Sequence, residues 1–164
     1  MSPTLFTIER PGAGQLSTMA RPRGRWWLGR DLRSLAAARV SVLVSLLEHG
    51  EAARLGLAGE AAAAARAGID FLQLPTPDFS VPEREEALAV AGTLMCRLAA
   101  GDRCVVHCRA GVGRSSTLAA VVLVLEGLTP AEAWDRISAA RGRPVPETDA
   151  QRELVTSVAG PARP

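Results

Sequence analysis

The sequence predicts an α/β fold in which a central, mostly parallel β-sheet is flanked by helices. Short apolar runs of strand type alternate along the chain with longer helical runs, an alternation typical of strand–helix–strand units. The strand-type runs are rich in Val and Leu, as expected of strands buried on both faces of a sheet. The chain has 164 residues, the size of one domain. We therefore expect residues 1–164 to form a single domain.

The first half of the chain is predicted to hold four strands and two helices. Asp31 is expected to cap the first helix, because its side-chain oxygen can accept from backbone N–H groups at a helix start. Pro75 and Pro77 enforce an extended loop, since each proline keeps its predecessor out of the helical region. Strands are expected over residues 5–8, 25–28, 40–47 and 69–74, and helices over residues 32–39 and 51–67, the second broken around Gly56 and Gly59.

The second half is predicted to place one strand among four helices. The run 114–126 is apolar on all sides, which indicates the central, buried helix of the fold. Thr129 and Thr148 have the side-chain oxygen that caps a helix start. The strand is expected over residues 103–107, and the helices over residues 82–100, 114–126, 130–141 and 149–158.

The composition argues against several classes of partner. Charged residues make up 22% and hydrophobic residues 48% of the chain, as in ordinary globular proteins. The net charge of +2 is too small and too diffuse to indicate a nucleic-acid surface. The longest apolar run, residues 118–125, is far shorter than the roughly 20 residues that cross a membrane. We expect no nucleic-acid partner and no membrane partner, and the oligomeric state is left open.

The cysteines point to a reduced, metal-free protein. Three cysteines without a CxxC pair suggest neither a disulfide framework nor a zinc site. Cys104 lies too far along its predicted strand from Cys108 for a disulfide, and Cys96 is expected in the core in the middle of a helix. Free thiols favour the cytoplasm.

One segment carries specific chemical information: His107-Cys108-Arg109-Ala110-Gly111-Val112-Gly113-Arg114-Ser115 joins a predicted strand to a predicted helix. Such a loop aims several backbone N–H groups at one point and forms an anion cradle, for which Gly111 and Gly113 permit the required backbone conformations and close approach. Arg114 offers a planar fork that matches two phosphate oxygens. A thiol at the floor of this cradle is expected to be ionised at neutral pH. The combination predicts nucleophilic attack on phosphorus.

These residues resemble the HCxxGxxR[ST] signature of the cysteine-dependent protein tyrosine and dual-specificity phosphatases, and they match it at every fixed position. The loop 76–82 resembles that family's WPDxGxP loop, with Thr76 and Ser80 in place of Trp and Gly. Residues 143–151 resemble a later loop that ends in a water-positioning Gln. The whole chain is similar to small bacterial members related to the cyclin-dependent kinase inhibitor 3 phosphatases, including the pattern Leu46-Leu47…Glu51…Leu55-Gly56-Leu57.

The resemblance implies a role for each matching residue. Cys108 is the nucleophile that forms a phosphocysteine, Asp78 is the general acid and later the base, and Ser115 donates to the sulfur. Gln151 holds the attacking water, and His107 orients the loop. The resemblance implies no cofactor and no metal. The expected phosphate-binding residues are Arg109, Ala110, Gly111, Val112, Gly113 and Arg114, the last also stabilising the transition state.

The expected substrate is a phosphorylated protein or peptide, above all phosphotyrosine, with phosphoserine and phosphothreonine as further candidates. Two alternatives stay open: a phosphatase of small molecules such as inositol phosphates, and a pseudophosphatase that binds phosphate without turnover. The absence of Lys between Cys108 and Arg114 weakens the case for a multiply phosphorylated ligand. The rival candidates for the acid are Asp70, Glu83 and Glu85.

The basic segment around residues 21–28 is open to several interpretations. As strand residues, Trp26 and Trp27 would point to opposite sides, one into the core and the other toward the pocket. Arg21, Arg23 and Arg25 form either a basic rim facing the substrate or ordinary solvated charges. Arg109 either points outward or braces a neighbouring acid.

Overall fold

Strands and helices alternate along the chain in the computed structural model, which describes residues 2–161. Within these residues the strands are β1 (Phe6–Ile8), β2 (Gln15–Met19), β3 (Val42–Ser45), β4 (Asp70–Gln73) and β5 (Arg103–His107). The helices are α1 (Leu28–Ala37), α2 (His49–Arg54), α3 (Glu60–Arg66), α4 (Arg84–Ala99), α5 (Arg114–Leu125), α6 (Pro130–Arg141) and α7 (Asp149–Val158), and a 3-10 turn (Arg25–Trp27) precedes α1.

The strands form a mixed sheet in the order β1-β2-β5-β3-β4. Strand β1 runs antiparallel to β2, whereas the pairs β2–β5, β5–β3 and β3–β4 are parallel. His107, the last residue of β5, is paired with Met19 at the end of β2 and with Ser45 at the end of β3. The carboxyl ends of these strands therefore meet at one edge, where open parallel sheets bind ligands. The predicted α/β class with a mostly parallel sheet is confirmed.

Each face of the sheet has its own hydrophobic core. Val105 packs with α1 and α3 on one face, and its neighbour Val106 packs with α4–α7 on the other, as the two-residue period of a strand requires. Helix α5 is buried from Arg114 to Val124, which confirms the expectation that it is the central helix. Cys104 points into the same core, and burial raises the pKa of its thiol to about 11.

The strand predicted over residues 25–28 is wrong, and strand β2 was missed. Arg25 has a φ of +56°, so the chain turns there, and Trp26 and Trp27 follow in the 3-10 turn. The aromatic composition suggested a strand, but this segment leads into α1, which starts at Leu28 rather than at residue 32. Strand β2 escaped prediction because Gln, Ser and Thr dominate it, although its Ser17 and Thr18 are buried.

Three side-chain expectations are also corrected. Trp26 is 90% exposed and Trp27 46% exposed, so neither belongs to the core. Cys96 is exposed, because it lies on the outer side of α4. Asp31 does not cap α1 but is buried within it, where it accepts from Arg23 N at 2.8 Å and pairs with the Arg23 guanidinium.

Other boundaries shift by a few residues. The predicted break around Gly56 and Gly59 is confirmed and separates α2 from α3, while the strand predicted over residues 40–47 covers only Val42–Ser45. Within residues 2–161 all three cysteines are free, and none of the helices is long and apolar enough to cross a membrane.

Candidate active site

The loop of residues 108–113, here called the cysteine loop, joins the carboxyl end of β5 to the start of α5, at the edge where the carboxyl ends of β2, β5 and β3 meet. Gly111 has a φ of +70°, and a Cβ at this position would collide with the backbone of Met19 and Ala20. Glycine is therefore required for both conformation and space. Arg21 N donates to Arg109 O at 3.2 Å, which ties the cysteine loop to the segment after β2.

Gly113 serves a different purpose from Gly111. Its φ of −88° is open to any residue, but a Cβ here would meet the side-chain ends of Glu147 and Gln151. The position leaves room for those two groups beside the cysteine loop.

The hydrogen bonds of the cysteine loop are unevenly distributed. In the part of the chain that the structure describes, the backbone N–H groups of residues 109–113 donate to no protein carbonyl. Arg141 binds two of the loop's carbonyls, because it donates from Nε to Gly111 O at 2.7 Å and from Nη2 to Ala110 O at 2.9 Å. The Arg141 guanidinium also stacks on the Phe6 ring, 3.9 Å from its centroid. Sequence reasoning missed Arg141, since nothing local distinguishes it among the chain's many arginines.

Cys108 lines a cavity of about 290 Å³. The residue is only 3% exposed, and its Sγ is 3.4 Å from Ser115 Oγ. The walls of the cavity come from the cysteine loop, from the start of α5 and from two other loops; they include Asp78, Phe79, Arg109, Arg114 and Glu147.

Arg114 is held from three sides although it is almost completely buried. Its Nη1 donates to Glu51 Oε2 at 2.8 Å and its Nη2 to Glu51 Oε1 at 3.0 Å, a bidentate pair. Nη1 also donates to Thr76 O at 2.9 Å, and Nη2 lies 3.2 Å from Asp78 Oδ1. Burial by itself lowers the pKa of the guanidinium, but the hydrogen bonds to Glu51 and the charges of Cys108 and Asp78 raise the pKa above its ordinary value. Arg114 therefore stays charged.

Glu51 is the acid that sequence reasoning left without a role. The hydrogen bonds from Arg114 hold the pKa of Glu51 below its ordinary value, against the burial that would raise it. The pattern of residues 46–57 included Glu51, but in a helix with exposed neighbours its burial could not be read from sequence. Its carboxylate fixes the orientation of the Arg114 fork.

Asp78 lies on the loop of residues 76–82, here called the aspartate loop. Its side chain is 43% exposed, and its Oδ1 accepts from Phe79 N at 3.0 Å. Thr76, at the start of the loop, is fully buried, and its Oγ1 donates to Leu74 O at 2.9 Å. Thr76 thus anchors the position where the family's pattern has Trp.

The three rival acids are engaged elsewhere. Asp70 lies 2.6 Å from Arg97 Nη1, and Glu85 lies 3.0 Å from Arg84 Nη1. Glu83 caps α4 by accepting from Glu86 N at 2.9 Å, and such backbone hydrogen bonds hold its pKa below the ordinary value. Among these four acids, Asp78 is the one that lines the cavity of Cys108.

Gln151 lies beside the cysteine loop and forms a hydrogen bond with the aspartate loop. The residue is fully buried, and its Oε1 accepts from the backbone N–H groups of Glu147 at 3.0 Å and of Thr148 at 3.2 Å. Its Nε2 lies beside Gly113 and donates to Ser80 O at 3.4 Å.

His107 is fully buried directly before the nucleophile candidate. Its Nδ1 lies 3.1 Å from Cys108 O, and its Nε2 lies 2.8 Å from Glu60 Oε1 on α3. The contact with Glu60 is close, but it lacks the alignment of a regular hydrogen bond. Sequence reasoning missed Glu60, which looks like an exposed residue of an Ala-rich helix.

The structure gives contacts for some of the arginines whose role the sequence left open. Arg23 pairs with Asp31 and lies over the Trp27 ring at 4.8 Å, so it has a structural contact. Arg109 is exposed at the cavity and helps to lower the pKa of Glu51. The basic rim formed by Arg21 and Arg25 stays a prediction.

A family model described as "Polymorphic toxin system, DSP-PTPase phosphatase" matches residues 17–128. The chain belongs to this family and is a cysteine-based phosphatase of the dual-specificity type, an enzyme class that hydrolyses phosphoric monoesters. This confirms the family and the class of enzyme that the signature around Cys108 predicts. No curated protein has a sequence significantly similar to that of this chain.

Solved structures of phosphatases share the fold. Kinase associated phosphatase, with serine in place of its catalytic-site cysteine, superimposes with a TM-score of 0.84 at 17% identity, over 94% of this chain and 93% of that chain. Tk-PTP in its active form gives a TM-score of 0.77 at 25% identity, over 93% and 95%. PTPMT1 in complex with PI(5)P gives 0.72 at 22% identity, over 87% and 89%. The fold shared with kinase associated phosphatase agrees with the phosphatase fold that the resemblance implies.

Proposed function

We propose that the protein dephosphorylates phosphorylated proteins, above all at phosphotyrosine, through a phosphocysteine intermediate on Cys108. The observation that carries the proposal is the convergence of Cys108, Arg114 and Asp78 on one cavity of about 290 Å³. This reaction needs a nucleophile, a guanidinium that binds the phosphoryl oxygens and a general acid. The whole chain acts as one phosphatase domain in this proposal.

In the first step the Cys108 thiolate attacks phosphorus and the bond from phosphorus to the ester oxygen breaks. The unpaired N–H groups of residues 109–113 and the fork of Arg114 hold the phosphoryl oxygens, whose charge grows in the transition state. Asp78 donates a proton to the departing oxygen, so the alcohol or phenol leaves neutral. The phosphoryl group takes over the Nη2 contact that Asp78 makes with Arg114.

In the second step water attacks phosphorus and the bond from phosphorus to sulfur breaks. Asp78, now ionised, accepts the proton of the water, and Ser115 donates a hydrogen bond to the departing thiolate from 3.4 Å. Gln151 is proposed to orient the water, because its buried amide lies beside Gly113 and reaches the aspartate loop. Inorganic phosphate leaves, and the thiolate is regenerated. A thiolate must stay reduced to act, so the proposal favours a reducing compartment such as the cytoplasm.

A small phosphorylated molecule is the second candidate substrate. It is favoured by the shared fold with PTPMT1, a protein whose structure holds PI(5)P. Against it, the cysteine loop contains no Lys that would hold a further phosphate. A pseudophosphatase is disfavoured because nucleophile, fork and acid occur together.

A rate comparison tests the proposal. We expect kcat/KM for a phosphotyrosine peptide to exceed that for a phosphothreonine peptide and for an inositol phosphate, with Cys108→Ser as the blank. A preference for the inositol phosphate would replace the proposed substrate class. Tight binding of all three without turnover would indicate the pseudophosphatase.

A further inference from the structure

We propose that Glu60 is a positioning residue, which acts through His107 to hold Cys108 in its reactive arrangement. The inference rests on the proposed role of Cys108 as nucleophile. It starts from two buried ionisable side chains that the mechanism above leaves unused. Glu60 is 3% exposed and His107 0% exposed, and they lie 2.8 Å apart.

The imidazole of His107 has an acceptor on each side. Its Nδ1 faces the carbonyl oxygen of Cys108 at 3.1 Å, and its Nε2 faces a carboxylate oxygen of Glu60. A carbonyl can only accept, so the contact with Cys108 requires a proton on Nδ1. Nε2 and the Glu60 carboxylate are not aligned as in a regular hydrogen bond, but at 2.8 Å their contact is favourable only with a further proton, carried by the imidazole or by the carboxyl group. In both forms the pair holds one proton more than a neutral imidazole beside a carboxylate.

Burial makes this pairing necessary for both partners. An isolated charge in the interior is costly, whereas a paired one is tolerated. Glu60 lies at the start of α3, where its backbone N–H donates to Leu57 O at 3.0 Å, and its side chain is almost completely buried. The carboxylate therefore orients the imidazole, and the imidazole fixes the carbonyl from which the cysteine loop departs.

The consequence for Cys108 is electrostatic as well as geometric. A protonated imidazole one residue away favours the thiolate over the thiol. Other charges also act on the sulfur, so the Glu60–His107 pair modulates its ionisation rather than causing it alone. The groups that face Cys108 from the other elements are Arg114 on α5, Arg141 on α6, Asp78 on the aspartate loop, Arg109 on the cysteine loop, Glu51 on α2 through Arg114, and Glu147 before α7.

The chain offers a matched control for the surroundings of Glu60. Glu60 lines a cavity of about 190 Å³ between α2, α3 and β4, away from the cavity of Cys108, and His49 lines the same cavity. His49 Nδ1 lies 3.4 Å from Gln73 Nε2. His49→Ala disturbs this cavity without touching His107, so it separates a local packing effect from an effect on the pair.

The first test measures how fast iodoacetamide alkylates Cys108 as a function of pH, with the labelled peptide identified by mass spectrometry. For Glu60→Gln we expect the pH of half-maximal alkylation to rise, because glutamine keeps the shape but cannot stabilise an imidazolium. We also expect kcat to fall by about 10-fold to 100-fold, as when the hydrogen-bond partner of a metal-binding histidine is removed, with KM little changed. Glu60→Asp should lie between wild type and Glu60→Gln, and His49→Ala should match wild type.

The second test is a double-mutant cycle with His107→Asn. If Glu60 acts through His107, adding Glu60→Gln to His107→Asn should change kcat by no more than about twofold. Full additivity would overturn the proposal, as would an alkylation profile of Glu60→Gln that matches wild type. A loss of kcat that follows a lowered Tm in both Glu60→Gln and Glu60→Asp, without a shifted alkylation profile, would also overturn it.

These outcomes are separable from a failure of the proposed function. Wild-type turnover that Cys108→Ser abolishes supports that function whatever Glu60 does. The alkylation profile needs no turnover, so it tests the role of Glu60 even on a protein that only binds phosphate.

Discussion

The cysteine loop and the aspartate loop face the same cavity but are held very differently. The cysteine loop is anchored to the segment after β2, to Arg141 and, through His107, to Glu60. The tip of the aspartate loop is open: Phe79 is 63% exposed with a φ of +57°, and Asp78 is half exposed. In the proposed reaction, phosphate binding needs a fixed geometry, whereas proton transfer needs a carboxyl group that admits each substrate. The contrast predicts larger effects at the cysteine loop.

The largest effect is expected for Cys108→Ser. Turnover should fall by at least about 10⁴-fold, the scale of losing a nucleophile. Binding of tungstate, measured by calorimetry, should be retained, because the N–H groups of the cysteine loop and Arg114 do not depend on the sulfur. Cys96→Ser, at an exposed cysteine, is the control and should retain activity. Substantial turnover by the Cys108→Ser variant would contradict the proposed phosphocysteine mechanism.

Arg114→Lys should lower kcat by about 10³-fold. Lysine keeps the charge, but it cannot bind two phosphate oxygens in a plane or match the two oxygens of Glu51. Steady-state kinetics with a phosphotyrosine peptide measures the loss, and Arg66→Lys on the exposed end of α3 is the matched control. A nearly unchanged kcat would show that Arg114 has a structural role and does not stabilise the transition state.

Asp78→Ala should lower kcat on phosphotyrosine by about 10²-fold, the lower end for a lost general acid, because its side chain is 43% exposed and water can partly replace it. An activated aryl phosphate should suffer far less, since its phenolate departs without a proton. Comparing kcat on the two substrates checks the prediction, with Glu85→Ala as the control at a rival acid. Equal losses on both substrates would exclude Asp78 as the acid.

Arg141→Gln should weaken tungstate binding and kcat/KM by about tenfold, equivalent to about 1.4 kcal/mol. The variant loses two charge-assisted hydrogen bonds to Ala110 and Gly111 and the stacking on Phe6. Calorimetric titration measures the Kd. Arg136→Gln on the same helix, where the arginine donates to Glu9 O at 3.2 Å, is the control. An unchanged Kd for Arg141→Gln would mean that the cysteine loop holds its shape without this anchor.

The smallest effect is expected for Phe79→Ala at the tip of the aspartate loop. Because the side chain is mostly exposed, the free energy of unfolding should change by no more than about 0.5 kcal/mol. Urea denaturation measures it beside Gly111→Ala in the cysteine loop, which should be strongly destabilised by its collision with Met19. If both variants lost a similar free energy of unfolding, the two loops would not differ in how firmly they are held.

The parts of the fold that were predictable have strong local signals. The apolar run of α5, the strand ending at His107 and the helix caps at Thr129 and Thr148 all follow from composition and side-chain chemistry. The failures lie where neighbours overrule local preference. Strand β2 is polar but pairs with both β1 and β5, and the residues Arg25–Trp27 are strand-like but turn into α1.

The sequence by itself determined the family and the chemistry proposed for this protein, because a nucleophile, two glycines and an arginine at fixed spacing are a local property of one loop. The tertiary structure decided which distant groups support that loop. Glu51 lies 63 residues along the chain from its partner Arg114, and Arg141 lies 30 residues from its partner Gly111. Glu60 and its partner His107 likewise belong to distant elements, α3 and β5. Their burial and pairing arise only when helices from both faces of the sheet meet at one edge, which no local pattern encodes.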